Sequence, residues 1–216
     1  MKLVPTGIDS FDRVLGGGVA RPSMTLLAGD PGTGKTTLML QVACGWRKRM
    51  GDAPVLYACS DQKVEHLEVH ARRIELSMEG VHMRNCLGLS ALELLLNTLH
   101  PSLLIVDTMH CMSLPSERTG TLVPPSVSDL LVARYAFDVA HARQMAVILV
   151  CGTTRLGTVP NQRALEYLFD RVLLLRMSDD QRSDLKGLRQ LHVVGQRDRV
   201  RGTFAMGPRG LVSASS

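Results

Sequence analysis

The sequence predicts an α/β protein in which a mostly parallel, twisted sheet is flanked by helices and carries a C-terminal antiparallel hairpin. Short apolar, β-prone runs at 24–28, 55–59, 103–107 and 145–151 alternate with longer helical patterns. This alternation is typical of β-α-β units, which build parallel sheets. The 216 residues contain no repeat, linker or low-complexity tract, so we expect residues 1–216 to form one domain.

The strongest motif lies between the first of these runs and a helix predicted for residues 37–49. It fits G-x-x-x-x-G-K-[ST], the phosphate-binding loop of nucleotide triphosphatases, in the strand–loop–helix context that this motif needs. Its residues are Gly29, Asp30, Pro31, Gly32, Thr33, Gly34, Lys35 and Thr36, with Thr37 following in the helix. We predict that all nine bind nucleotide. The alternative is a glycine-rich turn that fits the pattern by chance.

The residue types of this motif explain the predicted chemistry. Glycines let the backbone curl so that several N–H groups face inward, and the N-terminus of the helix adds free N–H groups and a positive dipole end. We expect Lys35 to reach the β- and γ-phosphates and the Thr36 hydroxyl to ligate Mg²⁺. The predicted cofactors are therefore ATP and Mg²⁺.

Two carboxylates follow predicted strands. Asp107 closes the apolar run 103–107 and is predicted to hold Mg²⁺, which prefers hard oxygen ligands and is often bound through water. Its alternative role is that of an ordinary turn residue. Asp61 lies just beyond the strand 53–59, at the end where open α/β sheets bind ligands, and is predicted to orient or activate the attacking water. Alternatively, Asp61 is the N-cap of a helix over residues 63–76.

Two further helix starts have the spacing of a capping box. Thr6 stands three residues before Asp9, and Ser90 stands three residues before Glu93. In this motif a Ser or Thr side chain accepts a hydrogen bond from the backbone three residues on, and an acidic side chain returns the bond. We therefore predict a short helix to about Leu15 and a second helix to about residue 99.

The second half of the chain contains two candidate loops and a hairpin. Residues 108–128 contain three prolines and mixed polar residues, which predicts a long exposed loop, and residues 152–163 form a second loop after a strand. Apolar runs at 188–194 and 202–206 predict the hairpin. The tail 212–216 is expected to fray.

Cysteine and charge usage limit the possible classes of function. The five cysteines form no C-x-x-C pair, so neither a zinc ribbon nor a redox motif is indicated, and Cys59, Cys86 and Cys151 are expected to be buried thiols. The net charge is +5, and residues 171–210 carry nine basic against four acidic residues. This excess suggests a polyanionic partner, or else a solvated basic surface.

The apolar segments are too short for a membrane protein. Spanning a bilayer takes roughly 20 consecutive apolar residues, and no run approaches that length. The N-terminus also has no apolar core of a signal peptide. We expect a cytoplasmic protein with no membrane partner.

These residues resemble the ATPase core of the RecA superfamily, and within it the bacterial RadA/Sms branch. The similarity is specific at 5–8, 12–18 and 29–32, and it continues through the strand at 55–57 and the segment 163–170. It extends over about residues 5 to 205. The resemblance implies a hexameric homo-oligomeric ring with ATP bound between neighbours and single-stranded DNA in a central channel. Residues 108–128 and 154–163 would then be channel loops, with Arg118, Arg155 and Arg163 contacting DNA phosphates.

Three departures from the family pattern bear on function. Asp61 replaces the family's catalytic glutamate with a shorter side chain. A Lys-Asn-Arg-Phe-Gly element of the family is replaced by residues 195–197, which lose the lysine but keep Arg197 as a potential arginine finger or a solvated hairpin residue. The family's zinc-finger and protease-like domains have no counterpart here, which suggests a protein partner in their place.

Three hypotheses follow. The first is an ATP-hydrolysing protein that acts on single-stranded DNA in recombination, repair or replication, with Lys35, Asp61, Asp107 and Arg197 as catalytic residues. The second is an ATP-dependent switch or scaffold, KaiC-like or RadA-like, with weak hydrolysis and a protein partner. The third is a small-molecule kinase, for which the sequence shows neither an Arg-rich lid nor an acceptor pocket.

Overall fold

A computed structural model describes residues 2–112, 114, 122–161, 165, 167–178, 187–194 and 201–214. The strands are β1 (Lys2–Val4), β2 (Val19–Arg21), β3 (Ser23–Gly29), β4 (Val55–Cys59), β5 (Val81–Asn85), β6 (Leu103–Asp107), β7 (Ala146–Cys151), β8 (Arg171–Met177), β9 (Arg189–Val193), β10 (Arg201–Gly207) and β11 (Gly210–Ser213). The helices are α1 (Asp9–Val14), α2 (Lys35–Met50), α3 (Val64–Arg73), α4 (Leu89–Leu99) and α5 (Pro125–Ala142), with a 3₁₀ turn at Met109–Cys111.

The main sheet has the strand order β11-β10-β9-β8-β3-β7-β6-β4-β5, and β1 pairs with β2 in a separate ribbon. All pairs from β8 across to β5 are parallel, whereas β8, β9, β10 and β11 pair antiparallel. The predicted fold class is therefore confirmed, including the C-terminal antiparallel hairpin formed by β9 and β10. Strand β3 lies between β7 and β8, so the strand that leads into the phosphate motif is held on both sides.

Helices cover both faces of the central strands. Neighbouring residues on β3 alternate between the two cores: Leu27 belongs to the core under α1, α2 and α3, and Leu26 to the core under α4 and α5. Strands buried on both faces consist almost entirely of apolar residues, as β3, β6 and β7 do. Among the described helices, none combines the length and apolar character required to cross a membrane.

Both capping-box predictions are wrong. Helix α1 has Ile8 as its N-cap with no side-chain cap, and the Thr6 hydroxyl donates to Asp12 (2.8 Å) where the prediction had it accept the N–H of Asp9. The Asp12 carboxylate, which lies within α1, also accepts the backbone N–H groups of Thr6 and Gly7. It thereby holds the segment just before the helix. Helix α4 has Gly88 as its N-cap, with no side-chain hydrogen bond.

Two other expectations need correction. The 108–128 segment is not exposed throughout, because Met109, Met112 and Leu114 are buried and α5 begins at Pro125. The tail does not fray from residue 212, because Val212 and Ser213 pair with β10 as part of β11. The thiols of Cys59, Cys86 and Cys151 are buried, as predicted.

Candidate functional site

The phosphate motif forms a tight turn between β3 and α2. Gly32 and Gly34 have φ angles of 79° and 99°, a left-handed conformation that glycine adopts without the steric cost of a Cβ atom. A Cβ on Gly29 would lie 2.5 Å from the carbonyl oxygen of Leu175 on β8, so the strand end also requires glycine. The loop thus ends at the N-terminus of a 16-residue helix, where free N–H groups favour an anion.

Lys35 is held inside this turn. Its ammonium group donates to the backbone carbonyls of Gly29 (2.8 Å) and Asp30 (3.0 Å). Burial lowers the pKa of Lys35, while the nearby Asp107, Cys151, Asp30 and Asp61 act in the opposite direction. The Lys35 ammonium group therefore lies over the loop, and the charges of Asp107 and Asp61 both stabilise its protonated form.

Asp107 and Thr36 meet at the carboxyl end of β6. The Thr36 hydroxyl donates to Oδ2 of Asp107 at 2.9 Å, and Asp107 is only 2% exposed. The same Oδ2 accepts a hydrogen bond of 2.6 Å from the hydroxyl of Tyr57, a fully buried residue of β4. Burial, reinforced by the charge of Asp107, raises the pKa of Tyr57 well above its usual value, so the phenol stays a proton donor.

The ends of β4, β6 and β7 are tied together beside this pair. The Ser60 N–H donates to the carbonyl of Asp107 (2.9 Å), and the Thr108 N–H donates to the hydroxyl of Ser60 (3.0 Å). Thr108 in turn donates its hydroxyl to the carbonyl of Val150 on β7 at 2.7 Å. These bonds hold together the carboxyl ends of β4, β6 and β7, which we call the rim of the site, and Asp61 follows Ser60 there.

Asp61 lies at this rim and is exposed. Helix α3 begins only at Val64 with Lys63 as its N-cap, so the alternative role of Asp61 as a helix cap is wrong. Partial desolvation, followed by the charge of Asp107, raises the pKa of Asp61, and Lys35 opposes the shift. Its carboxylate therefore shares an electrostatic environment with the two charged groups of the phosphate site.

Several contacts in the site were not predicted. Tyr57 contacts Asp107, as described above. Thr153, just after β7, donates its hydroxyl to the Asp30 carboxylate, and Thr37 bonds the Nε2 atom of His70 on α3 at 3.0 Å. The contact of Thr153 could have been inferred from the strand order alone. Its strand β7 runs parallel beside β3, so the carboxyl ends of the two strands, and the residues that follow them, meet at one edge of the sheet.

Of the three predicted DNA-contact residues, the described part of the chain contains Arg155. Arg155 is exposed in the turn after β7. Arg118, Arg163 and Arg197 lie outside the described residues. The roles of these four arginines stay predictions.

The groups present suit a magnesium-bound triphosphate. A glycine turn and a lysine match phosphate oxygens, and the Thr36 hydroxyl and Asp107 carboxylate are the hard oxygen donors that Mg²⁺ selects. The two oxygen atoms already lie 2.9 Å apart, joined by the hydrogen bond that Thr36 donates to Asp107. A cation held by these two oxygens would compensate the charge of the buried carboxylate.

Comparisons with known proteins agree with this geometry. The family model "ATPase: KaiC" matches residues 4–92. The DNA repair protein RadA of Mycobacterium tuberculosis H37Rv is 35% identical over 211 residues, which are 96% of this chain and 42% of that protein. RadA of Escherichia coli K12 is 29% identical over 212 residues, covering 98% of this chain and 44% of that protein. The chain thus spans less than half the length of these relatives.

A solved structure shows the same fold. The crystal structure of a KaiC-like protein from the archaeon Pyrococcus horikoshii OT3 superposes with a TM-score of 0.77 over 99% of both chains, at 19% identity. The strand order and the glycine turn define a phosphate-loop domain with the fold of that KaiC-like protein. More narrowly, the chain belongs to the KaiC-like ATPases of the RecA superfamily and is similar over most of its length to bacterial RadA proteins.

Proposed function

We propose that this chain binds Mg²⁺–ATP in the turn between β3 and α2 and hydrolyses it to ADP and phosphate. The observation that supports this proposal best is the meeting of three groups at one strand edge. Lys35 lies over the loop, and Thr36 and Asp107 share a hydrogen bond of 2.9 Å beside it. Each group has the chemistry that one part of a magnesium-bound triphosphate requires.

In this proposal each residue of the site has one task. The backbone N–H groups between Gly29 and Thr37, where every residue except Pro31 has one, surround the phosphates, and Lys35 contacts the β- and γ-phosphates. Thr36 and Asp107 hold Mg²⁺, Asp107 directly or through water. The bound cation would neutralise charge on the phosphate oxygens. Asp61 orients the attacking water and accepts its proton, since its pKa is raised towards the range where a base works.

We further propose that the chain acts on single-stranded DNA as a homo-oligomer, in a hexameric ring. The support is the similarity to proteins that carry the name DNA repair protein RadA. Arg155 is exposed after β7, where a DNA phosphate could reach it. Arg118 and Arg163 would make similar contacts, and Arg197 would stabilise charge on the γ-phosphate of a neighbour. Residues 1–216 would then act as one ATPase domain, with a protein partner for further tasks.

ATPase rate measured with and without single-stranded DNA tests this function. We expect Mg²⁺-dependent turnover that increases on DNA addition at low salt, together with a larger particle in light scattering when ATP is present. A Lys35→Ala variant is the control for turnover from contaminants. Turnover that ignores DNA at low salt would contradict the DNA part of the proposal while leaving the ATPase part intact.

A second candidate is an ATP-dependent switch or scaffold with slow hydrolysis. It is favoured by Asp61, whose carboxylate is one methylene shorter than glutamate and is exposed at the rim. The Asp61→Glu variant separates the two candidates. A large gain in turnover in this variant, on top of tight ATP binding and slow turnover in the parent chain, supports the switch. A loss of turnover supports the enzyme.

A further inference from the structure

Asp107 receives two hydrogen bonds on one oxygen, and only one of them comes from a residue of the phosphate loop. Thr36 donates at 2.9 Å from α2, and Tyr57 donates at 2.6 Å from within the sheet. In the proposed function Thr36 is itself a cation ligand, so its hydroxyl oxygen is needed there. Tyr57 has no such task, and its hydroxyl remains directed at Asp107.

The strand register explains how a residue of β4 reaches the end of β6. In the parallel pair, Tyr57 stands opposite Ile105, and Cys59 stands opposite Asp107. The phenol must therefore extend along the sheet by two residues, roughly 6.6 Å at a strand rise of about 3.3 Å per residue. A whole tyrosine side chain, measured from Cα to the hydroxyl oxygen, has about this length. The aromatic ring packs in the core under α2, and only its polar end meets the site.

Burial makes this contact necessary. Tyr57 is 0% exposed and Asp107 is 2% exposed, so neither group can exchange its partner for bulk water. A buried carboxylate is costly unless hydrogen-bond donors or a cation compensate it. When the Thr36 hydroxyl turns to a cation, Tyr57 is the donor that still fixes the orientation of the carboxylate.

We propose that Tyr57 is the positioning residue of the magnesium site: its hydroxyl holds Asp107 in the orientation that receives the cation. This inference rests on the proposed function, in which Asp107 holds Mg²⁺. Tyr57 does not contact nucleotide or metal. It acts through Asp107, in the way that residues behind metal ligands commonly orient those ligands.

The test compares ATP affinity in Mg²⁺ with ATP affinity in EDTA, measured by calorimetry on the Tyr57→Phe variant. Phenylalanine keeps the ring packing and removes only the hydroxyl. We expect the gain in affinity that Mg²⁺ provides to fall by roughly tenfold or more, with the EDTA value unchanged. The Mg²⁺ concentration for half-maximal turnover should rise to match. Tyr135→Phe, which removes a phenol from α5, is the matched control and should change neither value.

A double-mutant cycle with Asp107→Asn shows whether Tyr57 acts through Asp107. We expect Tyr57→Phe to have no further effect on the Mg²⁺-dependent affinity once the carboxylate is gone. An equal effect in both backgrounds, or an equal loss in Mg²⁺ and EDTA, overturns the inference. If the parent chain binds ATP equally well in Mg²⁺ and EDTA, the proposed metal site itself fails, which is a different result.

A measurement on the unmodified chain does not depend on the folding of a variant. The chain has three tyrosines, so tyrosine labelled with ¹³C at the ring carbon that bears the hydroxyl gives few signals in NMR. The buried Tyr57 hydroxyl proton should be protected from exchange with water and should remain so after Mg²⁺–ATP is added. Loss of that protection on loading would show that the phenol leaves Asp107, and would overturn the inference.

Discussion

Asp107 ends β6 and Asp61 follows β4, the parallel strand beside it, yet the surroundings of the two carboxylates are opposite. Asp107 is 2% exposed and has two hydroxyl donors on one oxygen. Asp61 is exposed and lies beyond the last paired residue of β4. The difference separates two parts of the site. The proposed binding part is fixed by the sheet before any ligand arrives, whereas the proposed hydrolytic part lies at an open rim that a bound ligand or a neighbouring chain can complete.

The largest expected effect on turnover comes from a change in the proposed hydrolytic part of the site. Asp61→Asn removes the proposed base without changing its shape, so turnover should fall by about 10²- to 10⁴-fold while ATP affinity stays within a factor of a few. Single-turnover kinetics and calorimetry measure the two quantities. Unchanged turnover would show that Asp61 takes no part in hydrolysis. The division of the site into a binding part around Asp107 and a hydrolytic part around Asp61 would then be wrong.

The pH dependence sharpens the same point. Desolvation and the charge of Asp107 raise the pKa of Asp61, so its carboxylate is protonated at a higher pH than the usual value of 3.8. Because the base acts only when deprotonated, turnover should fall as pH drops towards this raised pKa. A pH profile of single-turnover rate should show that acidic limb in the parent chain. The limb should be absent from the residual rate of Asp61→Asn, and its persistence there would assign it to another group.

In the proposed binding part of the site, Lys35→Ala should reduce ATP affinity by on the order of 100-fold, because a charge-assisted contact to the phosphates is lost. Lys48→Ala, an exposed lysine of the same helix, is the control and should bind ATP normally. Calorimetry gives both affinities. Equal affinities in the two variants would place the nucleotide elsewhere.

Asp107→Asn should act more selectively than Lys35→Ala. The amide keeps the shape of the side chain and loses its charge, so the Mg²⁺ concentration needed for tight ATP binding should rise by roughly 10- to 100-fold. Affinity in EDTA should change little. Asp52→Asn, at an exposed position after α2, is the matched control. A similar Mg²⁺ requirement in both variants would remove Asp107 from the proposed metal site.

The smallest effect concerns the support of the loop. Gln41 of α2 exchanges two hydrogen bonds with the backbone of Leu211 on β11, at 2.9 and 3.0 Å. A Cβ on Gly34 would lie 3.3 Å from the side chains of Leu211 and Met206, so β10 and β11 back the phosphate loop. Gln41→Ala should lower stability by about 1 kcal/mol per lost bond, seen as a decrease in Tm of a few degrees. An unchanged Tm in Gln41→Ala would show that the hydrogen bonds between α2 and β11 do not stabilise the proposed binding part of the site.

The sequence predicted the parts of the site that are local. Lys35 and Thr36 stand within one motif, and Asp107 closes an apolar strand, so their neighbourhood follows from the order of parallel strands. Tyr57 was missed because a tyrosine inside an apolar strand is fully explained by the core, and nothing local shows that its hydroxyl reaches another strand. Gln41 and Leu211 were missed because they meet across most of the chain.

The capping errors have a similar cause. Thr6 and Ser90 have the right spacing to their acidic partners, but spacing does not decide which backbone N–H groups are free. At α1 the Asp12 carboxylate takes the N–H groups of Thr6 and Gly7 instead. The use of Arg118, Arg163 and Arg197 was inferred from resemblance alone, since contacts with DNA or a neighbouring chain leave no local pattern.

The central position of β3 has a consequence for biosynthesis. Its two partners, β7 and β8, begin only at Ala146 and Arg171, so the strand that leads into the glycine turn has no paired neighbour until more than a hundred further residues have been synthesised. Pairings this distant along the chain are slow to form and leave apolar segments uncovered meanwhile. Nascent fragments that already contain the complete loop would therefore still lack the paired strands that shape it until β8, the last parallel strand along the chain, is made.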